Sequence, residues 1–155
     1  LGNYGSSRKY VFPYVGTNSR MDEMQAAVLT AKLRHLDLLN EARRQRAKEY
    51  LSLINNPKVK VPHQMYDDWS RNVVHIFPVF CEKRDELQTY LSKHGIGTMI
   101  HYPIPPHQQA CYKTWNKLSL PITERIHQQE LSLPCHQMMT SEETKYIAET
   151  INSFQ

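Results

Sequence analysis

The longest regular pattern in the chain is helical, and it limits how the rest can fold. Apolar residues recur at helical spacing from Met24 to Ile54, and the Asn-Asn-Pro run at residues 55–57 ends the pattern. The apolar face changes phase near residues 36–40. This change predicts either one bent helix or two consecutive helices.

After residue 57 the chain alternates between strand and helix patterns. Gly95 occupies the C′ position after one predicted helix, and Thr140 with Glu143 forms a capping box for the last one. The predicted strands are 58–61, 73–80, 97–101 and 131–133, and the predicted shorter helices are 84–94 and 122–130. The fold class is therefore α/β, a long helix leading into a small α/β sandwich. Residues 1–56 form a loop and connecting helix, and residues 57–155 form the α/β domain.

Composition excludes several classes of protein. Apolar residues make up 40% of the 155, which predicts a globular chain, and the longest apolar run, 73–81, is too short to cross a membrane. Three scattered cysteines indicate reduced thiols and a cytoplasmic location. The net charge is +4, and helical spacing spreads the basic run at 43–48 around the helix. We therefore expect no membrane and no nucleic-acid partner.

The usual catalytic motifs are absent from the sequence. His101 and His107 are separated by a proline-rich loop, and Cys135 and His136 are adjacent, so neither pair has metal-ligand spacing. We find no nucleophile motif and no phosphate-binding glycine loop. The residues by themselves predict no metal site and no catalytic residue.

Two polar segments remain to be explained. The first is GTNSR at 16–20, directly before the helix, where Ser19 and Asp22 have the form of a capping pair. Backbone N–H groups of a helix start, together with Asn18 and Arg20, can form an anion site. The simpler alternative is an ordinary helix cap, which the physical arguments favour.

The second segment is TMIHYPIPPHQ at 98–108, which puts His101 and Tyr102 at the end of a predicted strand. A rigid polar loop in that place is typical of a ligand site. A proline-stiffened turn with incidental polar residues explains the pattern equally well.

Taken together, these motifs resemble one family. The runs are NYGSSRKY at 3–10, NSRMDEMQAA at 18–27, GIGTMIHYPIPPH at 95–107 and LSLP at 131–134. In this combination and order they resemble the carboxy-terminal half of the DegT/StrS-type sugar aminotransferases, over nearly the whole chain.

The resemblance implies the small carboxy-terminal domain of a fold-type-I enzyme, a homodimer whose active sites lie at the dimer interface. Pyridoxal phosphate would be the cofactor, bound mainly by the other domain. An amino group would pass from glutamate to a keto-sugar on a nucleoside diphosphate, for cell-surface polysaccharide or antibiotic sugars. The phrase IHYPIPPHQQ with the ending ELSLP is most similar to members that aminate C3 of dTDP-6-deoxyhexoses.

The resemblance also implies roles for particular residues. Asn18 would reach the cofactor phosphate of the partner subunit, and Arg20 is a second candidate for that role. His101 and Tyr102 would lie near the sugar-nucleotide pocket. Lys9 and Tyr10 precede the Asn-Ser-Arg motif and would approach substrate phosphates from the partner subunit.

One departure from the family is large. The Schiff-base lysine and the acidic partner of the pyridine nitrogen lie upstream of NYGSS in these enzymes, and none of the ten lysines here has a matching context. The chain could be a fragment or a truncated gene product, and its start at Leu1 favours a fragment. We expect it to be inactive alone. The alternatives are a non-catalytic dimerisation or binding module and, less favoured, a small nucleic-acid-binding domain.

Overall fold

The computed structural model describes residues 15–19 and 21–155, which belong to two compact units. The first unit is Leu1–Asp37, and the second is Leu38–Gln155. The units therefore divide inside the first turn of the second helix. The domain boundary that the sequence predicts, between residues 56 and 57, lies after that helix.

The long helical pattern forms two consecutive helices, α1 (Glu23–Leu33) and α2 (Leu36–Leu53). The chain turns between them at Arg34 and His35, just before the phase change in the apolar pattern. Of the two alternatives left open by the sequence, the pair of helices is correct.

Asp22 caps the start of α1. Its carboxylate accepts the backbone N–H groups of Met24, at 2.8 Å, and Gln25, at 3.3 Å. The predicted capping pair of Ser19 with Asp22 is therefore wrong, because Asp22 is itself the cap residue. A carboxylate accepts these bonds well and its charge is favourable beside the positive end of the helix dipole.

No residue of α1 is buried. The apolar side chains of Met24, Val28 and Leu33 all face solvent. The second half of the helical pattern behaves differently, since Ala47 and Tyr50 of α2 are fully buried in the second unit. Apolar periodicity thus marks both helices correctly, but only α2 buries its face within the chain.

A three-stranded antiparallel sheet is the centre of the second unit. Its strands are β1 (Val59–Lys60), β2 (Phe77–Cys81) and β3 (Glu130–Leu133), with β2 in the middle. All four residues of β3 are buried. Successive strand residues point to opposite faces, so both faces of the sheet are covered.

Three further helices complete this unit: α3 (Arg84–Lys93), α4 (Pro121–Gln129) and α5 (Ser141–Asn152). Of these, α3 contacts β2, β3 and α5, and α4 contacts β2. Short 3-10 helices lie at His63–Tyr66, Pro106–Gln108 and Ala110–Trp115. The predicted fold class, a long helical segment leading into a small α/β sandwich, is confirmed.

The core joins α2, the sheet, α3 and α5. The ring of Tyr50 lies 4.9 Å from that of Phe77, between centroids, and the Tyr50 hydroxyl donates to the carbonyl of Pro134 at 2.9 Å. The large, fully buried apolar side chains are Tyr50, Val74, Phe77, Val79, Leu87, Leu91, Leu131 and Ile151.

Two predicted helix ends are confirmed. Gly95 follows α3 with a φ of +74°, the left-handed conformation that favours glycine at C′. The Thr140 hydroxyl accepts the N–H of Glu143 at 3.1 Å, and the Glu143 carboxylate accepts the N–H of Thr140 at 2.8 Å. The capping box is therefore present at the start of α5.

The strand predicted at 73–80 begins only at Phe77. The side chain of Asn72 accepts the N–H of Val74 at 2.8 Å, and Val74 has a φ of +47°, which no strand adopts. Val74 is nevertheless buried. The apolar run therefore predicts the burial of this segment correctly, but the turn at Asn72–Val74 prevents strand geometry before Phe77.

The strand predicted at 97–101 is reduced to a single bridge between Met99 and Ser132. Two main-chain hydrogen bonds join these residues, at 2.8 and 3.2 Å. The ladder stops there because the next N–H group, that of His101, binds a side chain and not a main-chain carbonyl. None of the helices in the described ranges has the length and apolar character that a membrane span requires.

Asn56 ties the end of α2 to the end of α5. Its amide nitrogen donates to the carbonyls of Ile151 and Phe154, both at 2.8 Å, and its oxygen accepts the N–H of Lys58 at 2.9 Å. The side chain is buried, so water cannot replace these bonds without local opening.

We expect Asn56→Ala to lower the free energy of unfolding by about 2 to 4 kcal/mol, since it removes three hydrogen bonds of a buried side chain. The Ile151 carbonyl keeps the N–H of Phe154 at 3.1 Å as a donor, whereas the Phe154 carbonyl loses the donor it has in Asn56. The neighbouring Asn55 is exposed. Asn55→Ala is therefore the control, with an expected change within about 0.5 kcal/mol. Urea unfolding of both variants measures the difference. Equal losses would show that Asn56 does not hold the two helices together.

Candidate functional site

A buried carboxylate anchors the start of the His101 loop to β3. After the bridge between Met99 and Ser132, antiparallel register puts His101 opposite Glu130. The backbone N–H of His101 donates to Oε2 of Glu130 at 2.7 Å. The Glu130 side chain thus replaces the main-chain acceptor that a continuing strand would use.

The same carboxylate also reaches the His101 ring through Ser132. The Ser132 hydroxyl lies 2.6 Å from Oε1 of Glu130 and 2.8 Å from Nδ1 of His101. Glu130 is 3% exposed and Ser132 5% exposed, whereas His101 is half-buried. Both the backbone and the ring of His101 are therefore fixed by two residues of one buried strand.

Helix α4 holds the loop that follows. The ring of His127 hydrogen-bonds through Nδ1 to the carbonyl oxygen of Tyr102. Further along the loop, Nε2 of His107 lies 3.1 Å from Oε1 of Glu124. His107 is only 3% exposed, so the second contact is internal. The prolines stiffen the loop, and α4 fixes its position.

The Glu124 carboxylate is stabilised as an anion. The backbone N–H of Leu120 donates to it at 2.8 Å, and together with the His107 contact this lowers the pKa of Glu124 below its usual 4.5. The Leu120 bond is the larger cause. The carboxylate is therefore charged at neutral pH, where it stabilises the start of α4 and contacts His107 of the loop.

An open cavity of about 380 Å³ lies beside His101. His101 and Ser132 line it together with His75, Gly97 and Met99. Tyr102 is 66% exposed, and its ring meets the His101 ring edge to face, with centroids 5.4 Å apart. The two residues that the sequence predicts as substrate-binding are thus adjacent, one held firmly and one facing solvent.

The helix start is a poorer anion site than the sequence suggested. Asn18 is exposed. The N–H groups of Met24 and Gln25 are already bound by the Asp22 carboxylate, whose negative charge also opposes an anion. An anion there would be bound by side chains such as that of Asn18, without those backbone donors.

The structure does not relate the remaining predicted residues to the His101 loop. Arg20, Lys9 and Tyr10 lie outside the described residues. Asn18 belongs to the first compact unit, and the His101 loop to the second. Within the described ranges, no group of three or more His, Cys, Asp and Glu side chains can hold a metal ion.

Residue-by-residue interpretation of the sequence gave no role to Glu130, Ser132, Glu124 or His127. The sequence pattern assigns Glu130 to the end of the predicted helix 122–130 and Ser132 to the predicted strand 131–133. In the structure both belong to β3 and are two apart, which puts their side chains on the same face. A carboxylate in a buried strand is unusual enough to indicate a specific hydrogen-bonding partner.

With this geometry, comparison with known proteins decides the family. The model of the DegT/DnrJ/EryC1/StrS aminotransferase family matches residues 1–152. The chain belongs to this family.

Two relatives and one solved structure illustrate the similarity. The dTDP-3-amino-3,6-dideoxy-α-D-galactopyranose transaminase of Aneurinibacillus thermoaerophilus is 44% identical over 99% of this chain and 42% of its own length. The dTDP-3-amino-3,4,6-trideoxy-α-D-glucose transaminase of Streptomyces venezuelae is 46% identical over 86% of this chain and 36% of its own.

The structure of S. venezuelae DesV in complex with a ketimine intermediate superposes with a TM-score of 0.85 and 41% identity. It covers 98% of this DegT-family chain and 41% of the DesV chain. The chain thus spans about two fifths of the length of these relatives.

Glu124 provides a test of how the loop is held. Because its folded pKa is lowered, its contribution to stability is complete above pH 4.5 and is lost as the pH falls through the folded value. We expect Glu124→Gln to be most destabilising near neutral pH, with the difference from the unmodified chain shrinking in acid. Urea midpoints measured across the pH range check this.

Gln128→Ala, an exposed change on the same helix, is the control and should give a difference that does not vary with pH. A Glu124→Gln difference that is constant from neutral to acid pH would contradict the stabilising role of this charge.

Proposed function

We propose that this chain is the carboxy-terminal part of a pyridoxal-phosphate-dependent transaminase. The full-length enzyme would move an amino group from glutamate to a keto-sugar linked to a nucleoside diphosphate. One observation carries the residue assignment: His101 is fixed by Glu130 and Ser132 at the edge of an open cavity. A side chain held in this way suits a defined polar contact to a ligand.

For the substrate, we propose a dTDP-linked 3-keto-6-deoxyhexose. The relatives from Aneurinibacillus thermoaerophilus and Streptomyces venezuelae both have names that specify dTDP-linked 3-amino sugars. The motifs IHYPIPPHQQ and ELSLP, which resemble those of members that aminate C3, support the same substrate. The product would enter cell-surface polysaccharide or antibiotic sugars.

For His101 and Tyr102, we propose contacts to the sugar nucleotide. His101 lines the cavity, and its ring is held in place by the contact of Nδ1 with Ser132. Tyr102 is exposed beside it and offers a phenolic hydroxyl. Neither needs to move a proton in the reaction, because in this family the lysine serves that purpose.

The described residues fit the cofactor only in part. When bound, pyridoxal phosphate supplies the carbonyl carbon that carries the amino group. The exposed amide of Asn18 can donate to a phosphate oxygen, and we propose Arg20 as a second donor. A lysine that forms a Schiff base is activated by desolvation or a nearby cation. All nine described lysines are exposed, so we expect the lysine to lie elsewhere in the protein.

We further propose that the full-length enzyme is a homodimer in the cytoplasm. The exposed apolar side chains of α1 support a subunit interface on this helix. Lys9 and Tyr10 would then reach substrate phosphates of the partner subunit. The three cysteines are free, which fits a reducing compartment.

The first test compares this chain with the full-length protein. We expect the full-length protein to convert pyridoxal phosphate to the amino form with glutamate, and to transfer the amino group to a dTDP-3-keto-6-deoxyhexose. This chain alone should retain no pyridoxyl group after borohydride reduction and dialysis, because none of its nine described lysines is desolvated. Absorbance measures the conversion of the cofactor, and peptide mass spectrometry measures any covalently attached pyridoxyl group.

A reduced pyridoxyl group on one specific lysine of this chain would contradict the assignment. A full-length protein without transamination would favour the binding module.

The second test concerns His101 in the full-length protein. We expect His101→Ala to raise the KM for the sugar nucleotide roughly tenfold, the effect of one lost polar contact. The half-reaction with glutamate should be nearly unchanged, since glutamate does not use the nucleotide pocket. Stopped-flow measurement of each half-reaction separates the two effects. His63→Ala, at an exposed histidine of the same unit, is the control. A large loss in the glutamate half-reaction would place His101 in the catalytic centre instead.

A further inference from the structure

The hydrogen bonds around Glu130 have a definite direction. An ionised carboxylate only accepts, and both of its oxygens are engaged, one by the His101 N–H and the other by the Ser132 hydroxyl. A hydroxyl has a single proton. If that proton points to Glu130 at 2.6 Å, Ser132 has only lone pairs left for its second partner.

That second partner is Nδ1 of His101, 2.8 Å from the Ser132 oxygen. Because the oxygen can only accept there, Nδ1 must carry the hydrogen. In a neutral imidazole the other nitrogen, Nε2, is then unprotonated and acts as an acceptor. The tautomer of His101 follows from a carboxylate that does not touch the ring.

We propose that Glu130 and Ser132 are positioning residues that hold His101 as the Nδ1–H tautomer and present Nε2 as an acceptor for a hydroxyl of the bound sugar. The ligand in this statement rests on the proposed function. The tautomer does not, since it rests on the three side chains alone.

The arrangement is costly for a purely structural contact. A buried carboxylate loses hydration, and its own main-chain carbonyl would have bound the His101 N–H in a continuing strand. That carbonyl is instead bound by the Arg84 guanidinium at 3.3 Å. Serine alone could bind either tautomer, because a hydroxyl donates and accepts equally well. Because the Glu130 carboxylate accepts the Ser132 proton, the hydroxyl can only accept from His101, and one tautomer is selected.

A fixed acceptor also discriminates between ligand groups. A neutral imidazole nitrogen attracts a hydroxyl or N–H donor and repels a phosphate oxygen, which has only lone pairs. The preferred partner of Nε2 is therefore a sugar hydroxyl and not the diphosphate.

Long-range ¹H–¹⁵N correlation spectra of this chain test the tautomer, at about pH 8.5, above the usual imidazole pKa. We expect a pyrrole-type Nδ1 and a pyridine-type Nε2 for His101, assigned by loss of its signals in His101→Gln. His94 is an internal reference, because its Nδ1 lies 2.8 Å from the Tyr90 carbonyl, which can only accept. It should keep the Nδ1–H form in every variant.

Glu130→Gln should reverse the direction of the hydrogen bond between Ser132 and His101. An amide can accept the His101 N–H through its oxygen and donate to Ser132 through its nitrogen. The Ser132 proton then turns to Nδ1, and His101 should shift to the Nε2–H form. Ser132→Ala should also release His101 toward that form, and Ser132→Thr, which keeps the hydroxyl, should restore Nδ1–H. Ser153→Ala removes an exposed hydroxyl elsewhere in the unit and should change nothing.

An Nε2–H tautomer in the unmodified chain overturns the proposal, as does a His101 that stays Nδ1–H in Glu130→Gln. If Ser132→Ala does not fold, the unmodified chain and Glu130→Gln still decide. In the full-length protein, Glu130→Gln should raise the KM for the sugar nucleotide roughly tenfold and spare the glutamate half-reaction. An unchanged KM overturns the role of Nε2 in sugar binding. A full-length protein without any transamination overturns the proposed function. The tautomer of His101 does not depend on that function, so the spectra of this chain still decide it.

Discussion

A single side chain, Glu130, decides how the sheet ends and how the loop beyond it begins. Its carboxylate accepts the His101 N–H that would have continued the strand ladder. Ser132, on the same strand, hydrogen-bonds to Nδ1 of the His101 ring. The loop therefore leaves the sheet at a defined residue and in a defined direction. Everything after it, including the proline run and its attachment to α4, starts from that fixed point.

Elements whose signals are local were predictable from the sequence. The capping box at Thr140, the glycine after α3 and the buried face of α2 depend on neighbouring residues, and all are as predicted. The helix cap at Asp22 and the short strand at 97–101 were not. In both cases a carboxylate competes for backbone N–H groups, and the sequence pattern does not reveal which acceptor wins.

The candidate site divides in the same way. The His-Tyr-Pro loop was found from its residue types, since a rigid polar loop at a strand end is visible in one sequence. The residues that hold it, Glu130 and Glu124, are 29 and 17 positions from the histidines they bind. Pairings over such separations come from the fold. A polar residue in a buried strand can indicate that a partner exists, but not which residue it is.

The link between Asn56 and α5 has a consequence for how the chain is made. Asn56 binds the carbonyl of Ile151, which is 95 positions further along the chain. Protein synthesis proceeds from the amino end, so α2, β1 and β2 emerge from the ribosome well before α5. Their apolar faces stay uncovered until α5 arrives, since it supplies Ile147, Ala148 and Ile151 to the core. The second unit can therefore close only near the end of its own translation. Until then, its exposed strands are available to chaperones and to aggregation.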